Sequence, residues 1–166
     1  VFKNHGEKAG SSIDHTHSQI IAYNQIPQII KTKEKLSKEY CPYCKIIEIE
    51  RNSYRRCFEN KNFLAFTPYA SRFPFEIWIF PKQHIIRLDH LNKLQLSDFA
   101  EILKKTLLKL RQLNSPYNFF LHYGLNNLHL HLIVTPRLTK WAGFEHSTGT
   151  IINIMPPEKA AEFYRN

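Results

Sequence analysis

Residues 97–135, SDFAEILKKTLLKLRQLNSPYNFFLHYGLNNLHLHLIVT, decide the fold class. Ser97 offers an N-cap, Asp98 and Glu101 suit a first turn, and Phe99, Ile102, Leu103, Thr106, Leu107, Leu110 and Leu113 recur at helical spacing. Pro116 ends that helix. Asn118 to Tyr123 and Leu128 to Thr135 then read as strands, the second setting Leu128, Leu130 and Leu132 on one face against His129 and His131 on the other. Upstream, Tyr54 to Phe58 and Phe63 to Phe66 flank Glu59-Asn60-Lys61-Asn62 as a hairpin, and Phe75 to Phe80, between Pro74 and Pro81, reads as a buried third strand. Downstream, Thr150 to Met155 reads as a last strand, and Pro157-Glu158 opens a short helix. Strands, one long helix, then strands again indicate an α+β fold: an antiparallel sheet with the long helix packed on it.

With 166 residues, 43% hydrophobic and 13% aromatic, the chain can bury a core of ordinary domain size. Its apolar runs fall short of the ~18 residues that a membrane span requires. No signal-peptide pattern opens it, so a cytoplasmic setting with no membrane partner is expected. The first residues are Val1-Phe2-Lys3-Asn4, which predicts a start inside a longer reading frame. A net charge of +9 invites a nucleic-acid reading, yet Lys31, Lys33, Lys35 and Lys38 are interspersed with Glu34 and Glu39, and Lys104, Lys105, Lys109 and Arg111 share the polar side of the helix. Solvated faces account for these charges, no nucleic-acid partner is expected, and the surplus would steer a small anionic substrate.

Two constellations carry chemistry. Cys41-Pro42-Tyr43-Cys44, with His84 and His129 at strand ends, offers four ligands for a tetrahedral Zn²⁺; the competing reading is a surface turn with two buried thiols. Cys57 is left as a buried free thiol. The second constellation runs from Asn4 through Gly10-Ser11-Ser12 to His15-Thr16-His17-Ser18-Gln19. Small residues let backbone N–H groups and hydroxyls approach phosphate oxygens. A strand over Ile13 to Ala22 would put His15, His17 and Gln19 on one face, where a neutral imidazole can attack phosphorus and Gln19 can donate to the resulting intermediate. The plainer alternative makes both histidines satisfied polar residues on an exposed strand. His129-Leu130-His131 repeats the His-x-His pattern, followed by Leu132 and Ile133 rather than x-Gln, so the second copy is expected to keep a metal role without the nucleophile's partner. His5, His90, His122 and His146 are read as ordinary surface or core histidines, Trp78 as core and Trp141 as a cleft residue.

These residues resemble the galactose-1-phosphate uridylyltransferases, a two-module branch of the histidine-triad superfamily that also includes ADP-glucose phosphorylase. The resemblance rests on Phe2-x-Asn4-x-Gly6, Gly10-Ser11-Ser12, His15-x-His17-x-Gln19, Cys41-x-x-Cys44, Thr67 to Glu76 and Pro81-Lys82-x-His84. It implies a histidine-triad-like fold, with residues 1–30 the end of a truncated first module, 31–40 a linker and 41–166 a second module. It makes His17 the nucleophile of a nucleotidyltransferase, Gln19 its stabilising partner, and His15 a zinc ligand of the first module. Asn4, Gly10, Ser11 and Ser12 fall on phosphate-contacting positions, and Lys140, Phe144 and Glu145 on the stretch that meets the sugar phosphate, often for the partner subunit of a homodimer. Nucleotide sugars and sugar 1-phosphates become the expected substrates, and zinc the expected metal, with iron the alternative in the second module. Lys3 stands where Glu is usual, and Thr16 and Ser18 replace a common Pro and Gly. That pattern, with a complete second metal set, leans toward the ADP-glucose phosphorylase-like members.

Overall fold

The computed structural model describes residues 1–166 apart from Asp14, Tyr23, Leu125 and Asn126. Six strands, β1 (Phe2–His5), β2 (Arg56–Glu59), β3 (Phe63–Phe66), β4 (Ile77–Pro81), β5 (Tyr117–His122) and β6 (His131–Pro136), form one sheet in the order β1-β5-β6-β4-β3-β2. Every pairing is antiparallel. Among the described residues five α-helices accompany it: α1 (Gln28–Leu36), α2 (Pro42–Glu50), α3 (Lys93–Gln112), α4 (Gly143–Thr148) and α5 (Pro157–Arg165). None among the described residues is long and apolar enough to cross a membrane.

The two-residue period of a strand sorts the sheet into two faces. Phe63, Ala65, Ile77, Ile79, Phe119, Leu132 and Val134 point to one face, against Ile102 and Leu110 of α3 and Ala161 and Tyr164 of α5. Their intervening neighbours Leu64, Phe66 and Phe80 pack on the other, against Ile30 of α1 and Tyr43 and Ile47 of α2. Leu110 is fully enclosed in the first core. Leu110→Ala is therefore expected to cost about 2–5 kcal/mol, read as a lower urea midpoint with an unchanged m-value.

The hairpin forms with its first strand at Arg56–Glu59 rather than Tyr54 to Phe58, and with a register shift between Arg56 and Phe58. Other expectations are corrected. Helix α3 begins at Lys93, not after Ser97, because Asn92 and Gln95 form a reciprocal capping box: the Gln95 N–H donates to Asn92 Oδ1 at 2.9 Å and the Asn92 N–H to Gln95 Oε1 at 3.0 Å. Strand β4 starts two residues late, since Glu76 folds its carboxylate onto the Arg72 and Phe73 N–H groups and the Trp78 indole, and Phe75 turns through φ +59°.

The expected strand over Thr150 to Met155 is irregular chain. The Asn153 side chain donates to Ser71 O at 3.0 Å and accepts from the Met155 N–H at 3.0 Å, so local bonds replace a ladder. The expected strand over Ile13 to Ala22, whose Asp14 lies outside the described residues, is reduced to one bridge between Phe2 and Gln19. Residues 2–5, read as loop, instead form the edge strand β1.

Candidate active site and metal centre

Register gathers a set of polar side chains on the face that carries α1 and α2. Asn4 pairs with Asn118 and His122 with His131, so Asn4, Asn118, His122 and His131 all share that face. A cleft of about 860 Å³ opens over it, with Asn4, Asn118, His122, Thr135, Arg72 and Arg137 among its lining residues.

Between Asn4 and Ser12 the chain turns tightly. Gly6 and Gly10 take φ +83° and +80° around a single 3-10 turn, Glu7–Ala9. At Gly6 a Cβ would lie 3.0 Å from Pro116 Cβ, so both backbone conformation and packing require glycine there. The Ser11 hydroxyl donates to Ile13 O at 2.7 Å, and Ser12 is exposed. Beyond the turn, Gln19 is tied to Phe2 by two backbone hydrogen bonds of 3.0 and 2.8 Å. His17 is half-buried, and its Nδ1 lies 2.7 Å from His15 O. A carbonyl oxygen only accepts, so Nδ1 carries a proton, and in the neutral ring the lone pair falls on Nε2. His17 and Gln19 stand outside the lining of the 860 Å³ cleft, whereas Asn4 and Ile21 belong to it.

The second His-x-His copy repeats this local geometry. His131 Nδ1 lies 2.8 Å from His129 O, again leaving Nε2 as the acceptor. Here Nε2 is enclosed, and Lys33 Nζ donates to it at 2.9 Å and to His122 Nδ1 at 2.8 Å. Lys33, read from sequence as a solvated charge, is thus half-buried, inserted between these imidazoles and near the Trp78 and Tyr43 rings. Burial lowers its amine to about 8. His122, taken as an ordinary histidine, is the second acceptor. No sequence signal marked Lys33; only its apolar neighbour Ile30, which faces the core, fixed which side of α1 turns inward.

The four expected metal ligands converge. Cys41 caps α2 and Cys44 sits in its first turn; His84 follows β4, and His129 precedes β6. Their ligand atoms all lie within 4.8 Å of one another. Cys44 Sγ is 3.4 Å from His84 Nδ1 and 3.7 Å from His129 Nδ1, and Cys41 Sγ is 3.8 Å from His129 Nδ1. Tetrahedral zinc with bonds of about 2.3 Å to sulfur and 2.0–2.1 Å to nitrogen would hold such atoms about 3.6 Å apart, so the donor set fits the ion. His129 Nε2 donates to Pro81 O at 3.0 Å, which turns Nδ1 toward the cluster. Burial and the neighbouring Cys41 push the Cys44 thiol up to about 11, a proton that a divalent cation would displace. His15 is exposed and joins no such cluster among the described residues.

Lys140 is exposed and lines a second cavity, of about 620 Å³, with Arg137, Trp141 and His146. Phe144 is exposed on α4, and Glu145 accepts the Ala142 N–H as part of that helix's cap. Neither lines this cavity. Cys57 is the buried free thiol expected.

Comparison with known proteins gives this arrangement a context. ADP-glucose phosphorylase of Arabidopsis thaliana is 34% identical over 181 aligned positions, covering 99% of this chain and 50% of that protein. A crystal structure of an ADP-glucose phosphorylase from that plant, with bound ADP-glucose, superposes with a TM-score of 0.89 at 32% identity, over 99% of this chain and 56% of the other. Galactose-1-phosphate uridylyltransferase of Thermotoga maritima is 30% identical over 99% of this chain and 58% of its own length. A histidine triad family protein from Mycobacterium smegmatis, at 20% identity and a TM-score of 0.52 over 75% of this chain and 90% of that one, shares the fold. The chain spans between half and three-fifths of the length of the two curated relatives. Residues 12–164 match the family model for the C-terminal domain of galactose-1-phosphate uridyl transferase, and the chain belongs to that family.

Proposed function

We propose that this chain carries the nucleophile of a nucleotidyltransferase that moves UMP or AMP between sugar 1-phosphates, or to phosphate, through a covalent nucleotidyl-histidine on His17. The observation that carries the proposal is the 2.7 Å contact from His17 Nδ1 to His15 O, which assigns a proton to Nδ1 and so makes Nε2 the nitrogen that bears the lone pair in the neutral ring. Nε2 attacks the α-phosphorus of a nucleotide sugar, an N–P bond forms, and the P–O bond to the sugar 1-phosphate breaks. The leaving group is already an anion, so no general acid is required, and the His15 carbonyl steadies the positive ring formed in the step. A second phosphate oxygen then breaks the N–P bond and carries the nucleotide away. Gln19 donates to a non-bridging oxygen. Asn4, Gly10, Ser11 and Ser12 cradle the phosphates, and Lys140, Phe144 and Glu145 meet the sugar phosphate across a homodimer.

Zinc at Cys41, Cys44, His84 and His129 holds the second module together, with iron the alternative ion. Residues 1–30 are the end of a first module, 31–40 the linker and 41–166 the second, and the protein works in the cytoplasm. An ADP-glucose phosphorylase-type specificity is favoured by the complete Cys41, Cys44, His84, His129 set and by the similarity to the plant enzyme. The opposing reading, a zinc-stabilised binding module without catalysis, keeps the metal cluster and denies the adduct.

Intact-mass measurement of the complete protein carrying this chain, after exposure to UDP-glucose or ADP-glucose, is expected to show one nucleotidyl adduct. His17→Ala is expected to abolish it, and the added mass names the base. A normal adduct in His17→Ala sinks the assignment.

A further inference from the structure

Asn4 and Asn118 stand 114 positions apart and are direct partners in the β1–β5 ladder. The same interval separates His15 from His129 and His17 from His131. Asn118 is therefore the counterpart of Asn4 in the second copy, yet it faces the first copy's loop. Its Nδ2 donates one hydrogen to Ala9 O at 2.7 Å and the other to Asn4 Oδ1 at 2.8 Å. Ala9 O, a backbone carbonyl, can only accept. That contact fixes which end of the Asn118 amide is nitrogen, and through it which end of the Asn4 amide is oxygen. Asn4 is left with Nδ2 turned toward Gly10 O at 3.3 Å, at the mouth of the glycine and serine turn. A primary amide nitrogen carries two hydrogens, and among the described residues only that one long contact uses them.

We propose that Asn118, from the second module, is the positioning residue that sets the polarity of the anion loop in the first. It holds the Asn4 amide with its donor end toward the phosphate and clamps the Ala9 carbonyl out of the way. This inference rests on the nucleotidyl-transfer reading and deepens it. The second copy keeps the asparagine without using it for a nucleophile of its own, since His131 Nε2 is occupied by Lys33. The repeated interval thus couples two modules through one pair of side chains rather than through the metal.

Aspartate at 118 has the same shape but only accepts. It would repel Ala9 O and draw the Asn4 NH₂ toward itself, presenting Asn4 Oδ1 to the phosphate. In the complete protein, Asn118→Asp is expected to raise KM for the nucleotide sugar on the order of tenfold or more, the scale of a lost hydrogen bond to a charged group, with a much smaller change in kcat. Asn118→Ser, which keeps one donor, is expected to give a smaller rise and carries the test if the aspartate variant does not fold. Asn4→Ala also raises KM, and Asn4→Ala with Asn118→Asp is expected to fall short of the product of the two single effects.

An unchanged KM in both Asn118 variants, or single effects that multiply in full, overturns the positioning role. The nucleotidyl-transfer reading fails separately, by a persisting adduct in His17→Ala; UDP-glucose and ADP-glucose affinity measured by calorimetry still reads Asn118 in that case.

Discussion

Stripping the bound metal from the folded chain with a chelator is expected to lower its thermal midpoint by at least about 10 °C, and Cys44→Ser is expected to give the same loss with no metal retained. A structural Cys₂His₂ zinc site contributes about 10–16 kcal/mol in small peptides. A domain of this size has a net stability of only about 5–15 kcal/mol, so a contribution of that size decides whether it stays folded. The ligands come from three separate places: the start of α2, the end of β4 and the approach to β6. Two thiols and two imidazoles meet within 4.8 Å, the donor set of a tetrahedral ion. Cys57→Ser is the control, since Cys57 is enclosed in the other core and its replacement should leave the metal stoichiometry at one per chain, measured by atomic absorption. An unchanged midpoint after complete chelation would show that packing alone holds α2 to the sheet.

The metal set was legible in the sequence because Cys-x-x-Cys is a local pattern and the histidines at the two strand ends had no competing apolar role. The hairpin and the apolar face of α3 were legible for the same reason, that a short-range period sets them. Lys33 was not. Its neighbours Lys31, Glu34 and Lys35 form a mixed-charge run whose average hides the one side chain pointing inward, and only the register of α1 against Leu64 and Phe80 decides it. Asn118 was hidden similarly, because its partners Asn4 and Ala9 are more than a hundred positions away. Ile13 to Ala22 and Thr150 to Met155 alternate well enough for strands, but the first meets the edge strand β1 only at Gln19, and in the second the Asn153 side-chain bonds stand in place of a ladder.

Acidification from pH 7 toward pH 5 is expected to unfold the metal-loaded chain well above the range in which carboxylates titrate. His122 and His131 are buried, and burial together with the Lys33 ammonium holds His122 down to about 3 and His131 well below its ordinary value. Both must stay neutral because each gives its free lone pair to Lys33. An unfolded histidine takes up a proton near pH 6.5, so between pH 6.5 and about 4 the unfolded state binds more protons than the native one. Stability then rises with pH and is lost on the way down, at a limiting slope on the order of 3 kcal/mol per pH unit for two histidines. His129, lowered to about 4 by burial and by His84, adds to the loss as protons compete with the metal. Glu76 works the other way, since burial raises its carboxyl and its neutral form gains with acid, but it is one group against three. Urea midpoints at pH 7, 6 and 5 measure the slope. His122→Gln, which offers Lys33 an acceptor that cannot be protonated, should flatten it by about one proton's worth, on the order of 1.4 kcal/mol per unit. A midpoint that is flat across this interval, or a slope untouched in His122→Gln, would mean that the Lys33 cage does not exclude protons and that the second copy's imidazole is open to solvent after all.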